Sequence, residues 1–152
     1  MYDRTTKKRR KLETFRQYIT EQLVINGKSL DDIIITFRGS KDISWYLQGG
    51  CYDFAYGLGT FLEHTKGVNK VEYMTYGSLS EPEIHVAIVV EKTPYDVLGE
   101  APNLKEIIER GDFYFDTKKE AKWSKINKKK LSIDINEANK ISKKFIDISN
   151  KK

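Results

Sequence analysis

The chain is poor in the residues on which disulfide and metal chemistry depend. Its 152 residues include one cysteine and two histidines. A single cysteine excludes an internal disulfide and fits a reducing cytoplasm. A structural zinc site takes about four ligands, commonly Cys and His, so none is expected. Neither a P-loop nor a dinucleotide fingerprint occurs, and Glu109, Asp112 and Asp116 do not follow a calcium-loop pattern. No cofactor is expected. No run approaches ~18 consecutive apolar residues, which argues against a membrane span. The basic start leads into an amphipathic pattern and not an apolar block, so a signal peptide is not expected.

What is present describes a single globular domain over 1–152. Hydrophobic residues make up 39% and aromatic residues 12%, enough for a real core at this length. The net charge of +5 hides a segregation. Residues 1–11 and 118–152 together carry 18 basic against 5 acidic residues, a net of +13. The middle carries 9 against 17, a net of −8. Residues 1–11 read as a basic, frayed N-terminal arm, because cations sit poorly at a helix start. Residues 117–152 read as a lysine-rich helical region. Cationic ends can pair with the acidic body, or they can contact nucleic acid or a ribonucleoprotein. Lys7, Lys8, Arg9 and Arg10 would make that contact at one end. Lys119, Lys122, Lys128, Lys129 and Lys130 would make it at the other, with Trp123 among them as a stacking or packed residue.

Periodicity divides the chain into helices, strands and helices. Leu12, Phe15, Ile19 and Leu23 form one stripe of a helix over about 6–25, with Gly27 as its stop. Leu30, Ile33, Ile34 and Phe37 predict a second helix capped by Ser29. Residues 40–50 read as a connecting turn with Trp45, Tyr46 and Leu47 packing inward. A third helix is expected from Gly50 to about His64, in which Gly57 and Gly59 allow close packing. Strands follow over 71–76 and 84–90, with a short third over 93–98, as an antiparallel hairpin system. Asn103 caps a short helix to Arg110, residues 111–116 suggest an edge strand, and helices are expected at 117–126 and 135–148. Asp134 and Glu137 resemble a capping box for the last. The fold class is therefore α+β: N-terminal helices, a cysteine-bearing helix on a small antiparallel sheet, then C-terminal helices.

The only cysteine stands where the third helix starts, in Gly49-Gly50-Cys51. A thiol attacks as its thiolate, and a helix N-terminus or a neighbouring imidazolium lowers its pKa from ~8.5. His85 lies in the second strand and Asp96 at the end of the next, where an imidazole and a carboxylate can face each other across a hairpin. These are the parts of a nucleophile, base and orienting acid. Gly50 would allow the backbone to approach a substrate, the Cys51 N–H would join an oxyanion hole, and Gln48 is a candidate second donor. The bland alternative is a small buried hydrophobe at Cys51, a satisfied histidine at His85 and a turn acid at Asp96.

The segments Gly49-Gly50-Cys51-Tyr52-Asp53-Phe54-Ala55, Ile84-His85-Val86-Ala87-Ile88-Val89-Val90 and Tyr95-Asp96-Val97-Leu98-Gly99 resemble those of small phage and bacterial proteins with a Gly-Gly-Cys helix start. More loosely the chain is similar to the papain-like and transglutaminase-like cysteine fold. The resemblance covers roughly residues 45–100. It implies Cys51 as nucleophile, His85 as base and Asp96 as orienting acid, in a hydrolase or acyl transferase acting on an amide, ester or thioester. The competing expectation is a non-catalytic binding protein on the same scaffold, such as a phage counter-defence (anti-CRISPR) inhibitor.

Overall fold

The computed structural model describes residues 23–39, 46, 50–78, 84–111 and 121–151. Strands β1 (Val24–Ile25) and β2 (Lys28–Ser29) form a two-residue hairpin around Asn26 and Gly27, both at positive φ (52° and 82°). Asn-Gly is the strongest short hairpin signal, because a type I′ turn needs two left-handed residues. The expected 6–25 helix therefore does not reach its C-terminal end; its residues 6–22 lie outside the described segments, as do the basic arm 1–11 and the 111–116 edge strand beyond Gly111. Of the inward-packing trio, Tyr46 is described and buried.

Helix α1 (Leu30–Arg38) begins where Ser29 accepts the Asp32 N–H, and it buries Leu30, Ile33, Ile34 and Phe37. Helix α2 (Cys51–Glu63) begins at the cysteine itself. Strands β3 (Val71–Gly77), β4 (His85–Val90), β5 (Thr93–Asp96) and β6 (Gly99–Glu100) follow. Helix α3 (Leu104–Arg110) is capped by Asn103, which accepts the Glu106 N–H. Strand β7 (Lys122–Ile126) and a 3-10 turn (Lys128–Lys130) lead into α4 (Ile135–Asn150). Asp134 caps α4 by accepting the Asn136 and Glu137 N–H groups. The reciprocal half of a capping box is replaced, since the Asp134 N–H donates to buried Asp53 at 2.8 Å.

The sheet is antiparallel with order β6-β5-β4-β3-β7. Residues 122–126 are thus a strand, where sequence periodicity predicts a helix. The free edge of β3 supplies partners, with Tyr76 opposite Trp123 and Tyr73 opposite Ile126. Lysines suit this place, because charged side chains on an edge strand discourage further pairing. The β4–β5 turn is also I′-like, with Glu91 and Lys92 at φ 49° and 77°.

One face of the sheet carries the main core, built from α1, α2 and α4. Phe145 lies at its centre, stacked on Phe37 with ring centroids 4.5 Å apart. The other face carries a smaller cluster of Ala87, Ala101 and Ile107, with Leu104 and Trp123 against it. Helices α2 and α4 cross closely because Gly57 has no side chain. A Cβ there would stand 2.6 Å from the Ile141 side chain and 2.7 Å from the Ala138 carbonyl. Gly57→Ala is expected to lower stability by about 1–3 kcal/mol, the range for overpacking; a urea midpoint equal to wild type would refute the close contact.

Candidate functional site

Cys51 opens α2, and Gly50 precedes it as N-cap with φ −73°, a value any residue adopts. The first turn is closed by the Phe54 N–H donating to the Gly50 carbonyl. Cys51 is 1% exposed and belongs to the main core. Its sulfur faces the backbone N–H groups of Val86, Cys51 and Tyr52. Val86 is the second residue of β4, so the thiol meets the sheet one residue from His85.

The opposite face of the hairpin holds the imidazole and the acid. Val86, Ile88 and Val90 point into the main core, and Ala87 into the smaller cluster. His85 shares the parity of Ala87. Ile88 pairs with Tyr95, so one further step sets Asp96 beside Ala87 and diagonal to His85 on one face. The side chains realise that placement: His85 Nε2 lies 3.0 Å from Asp96 Oδ2, both residues being almost fully buried. Ionised Asp96 is only an acceptor, so His85 Nε2–H donates to it and Nδ1 is turned away from the acid. Trp123 flanks the imidazole edge-on, with centroids 6.5 Å apart.

The electrostatics divide the acid from the thiol. Burial pushes the Asp96 carboxyl up, but the His85 hydrogen bond and charge, and then the charge and hydrogen bond of Arg110, outweigh it and hold the group below the usual carboxylate range. Burial also pushes the Cys51 thiol up, here to about 12, and the nearby Asp96 charge adds to the rise. The three N–H groups at the helix start and at Val86 pull the other way without reversing it. The expectation of a thiol activated by its helix terminus is therefore corrected: at rest the sulfur is neutral, because loss of water outweighs partial charges on amides.

The remaining predicted site residues are distributed as follows. Gln48, Lys7, Lys8, Arg9, Arg10 and Lys119 lie outside the described residues. Lys122, Lys129 and Lys130 are exposed. Lys128 is turned inward: its Nζ reaches Thr60 Oγ1 at 2.7 Å and Glu63 Oε2 at 3.1 Å, and lies over the Tyr56 ring at 4.4 Å. Trp123 is a packed residue, against Tyr76 at 5.3 Å and the small cluster, with its indole Nε1 buried. Arg110, which the sequence reading names only as the end of a helix, reaches Asp96 Oδ1 at 2.7 Å. Only its position at the end of a capped helix after the hairpin hinted at a role.

Among the described residues no group of three or more His, Cys, Asp and Glu side chains is placed to hold a metal ion, and no helix is long and apolar enough to cross a membrane. No protein-family model, curated protein or solved structure matches the chain.

Proposed function

We propose that the chain is a cysteine hydrolase or acyl transferase acting on an amide, ester or thioester. The observation that carries the reading is the buried His85 Nε2–Asp96 Oδ2 contact of 3.0 Å, one residue along β4 from the N–H that faces the Cys51 sulfur. A fixed imidazole with its basic nitrogen turned from the acid is the arrangement of a general base.

The neutral thiol sets the order of events. Cys51 is not a preformed thiolate, and its sulfur lies in the main core while the His85 ring lies on the other face of β4. Substrate binding must therefore bring the two together before the imidazole takes the S–H proton as sulfur adds to the acyl carbon. Imidazolium then passes that proton to the leaving amine, alcohol or thiol as the bond to it breaks. Water or an acceptor nucleophile, deprotonated by the same ring, releases the acyl group and restores the thiol. The Cys51 N–H at the start of α2 is a donor for the developing oxyanion.

The test uses p-nitrophenyl acetate. We expect a burst of one nitrophenolate per chain and an acetyl group on Cys51 by peptide mass spectrometry. His85→Ala is expected to slow acylation roughly 100-fold or more, with the fold verified by circular dichroism. The second reading, a non-catalytic binding protein, is favoured by one observation, the 1% exposure of Cys51. Acetylation confined to lysines, or equal rates in wild type and His85→Ala, rejects the enzyme and selects that reading.

A further inference from the structure

We infer that Arg110 is a positioning residue for the base, holding Asp96 so that one carboxylate oxygen is left to orient His85; this rests on the reading of His85 as base. The two oxygens of Asp96 have separate partners. Oδ2 faces His85. Oδ1 accepts the Leu98 N–H at 2.9 Å and Arg110 Nη2 at 2.7 Å. A carboxylate with one oxygen held from two directions cannot rotate without breaking both contacts, so Oδ2 keeps a single heading.

Arg110 is itself fixed. Nη2 also donates to the Gly99 carbonyl and Nη1 to the Glu100 carbonyl, each at 2.6 Å. One planar head therefore ties the end of β5 to β6 from the last residue of α3. Lysine cannot reproduce this, because its ammonium has no rigid fork. The placement carries a cost: Arg110 Nε is buried with no hydrogen-bond partner among the described residues. A cation serving only the C-terminal end of a helix dipole would need none of these acceptors.

The readout is the His85 Nε2–H proton, followed by NMR in histidine labelled with nitrogen-15. Wild type is expected to show a downfield Nε2–H signal protected from exchange with water. Arg110→Lys keeps the charge and Arg110→Gln keeps an amide donor; in each, exchange of that proton should accelerate roughly tenfold or more, while β4 amides keep their protection. The nitrophenyl ester acylation rate should fall with KM unchanged. If either folded variant leaves the Nε2–H exchange rate at the wild-type value, Arg110 does not position the dyad and the base assignment stands. If wild type itself lacks a protected Nε2–H, the catalytic reading fails first.

Discussion

Replacing Asp96 by alanine is expected to lower stability by about 3–5 kcal/mol, the cost of removing one partner from a buried charge pair. Three groups lose their acceptor at once: the His85 ring, the Leu98 N–H and the Arg110 guanidinium. His85 is wholly buried and the Arg110 side chain only 24% exposed, so water replaces little of what is lost. Asp96→Asn separates shape from charge. Its amide oxygen can still accept from Leu98 and Arg110, while its NH₂ faces a ring nitrogen that must then become an acceptor. The proton moves to Nδ1, and the base is lost with less damage to the fold. Acylation should therefore fall further than stability in the asparagine variant. The pH dependence has a definite sign. The folded Asp96 pKa lies below the unfolded value, so its contribution is complete above the ordinary carboxylate range and fades as pH falls through the depressed value. Urea midpoints of wild type and Asp96→Ala should keep their separation down to the ordinary carboxylate range and converge below it; curves still parallel at about pH 2 would contradict the pairing.

The features legible in the sequence are those set by neighbours along the chain. Ser29, Asn103 and Asp134 announce their helices because a cap needs only a side-chain oxygen and a backbone N–H two or three residues on. The start of α2 at Cys51 and the facing of His85 and Asp96 follow from spacing and from the alternation of strands. The Asn26-Gly27 turn is equally local, but an apolar stripe ending at Leu23 carries the expected helix up to that turn and over the residues of β1. Strand β7 was hidden for a different reason. Its lysines follow no strand alternation, and its state depends on the vacant edge of β3, a long-range fact. Arg110 and the thiol pKa belong to the same class. Each is fixed by what the collapsed chain sets around it, and no local pattern encodes that.

The alkaline side should show the second large effect, and it follows from the same burial that silences the sulfur. Cys51 ionises at about 12 in the folded chain against about 9 when unfolded. Between those values the unfolded chain has released a proton that the folded chain retains, so unfolding is favoured as pH rises. Each pH unit is worth about 1.4 kcal/mol, which over the interval approaches 4 kcal/mol for this one group. Tyr73 acts in the same direction: burial, and then the hydrogen bond from its hydroxyl to Glu63, push its pKa up. Cys51→Ala removes the sulfur's share and leaves the tyrosine's. Chemical denaturation at pH 8 to 11 should therefore give a shallower loss of stability in Cys51→Ala than in wild type. The small cavity in the variant shifts its whole curve but not its slope. Curves of equal slope would mean that the folded thiol ionises near its ordinary value. The proton would then leave without the help of His85, and the concerted role assigned to that ring would have no work to do.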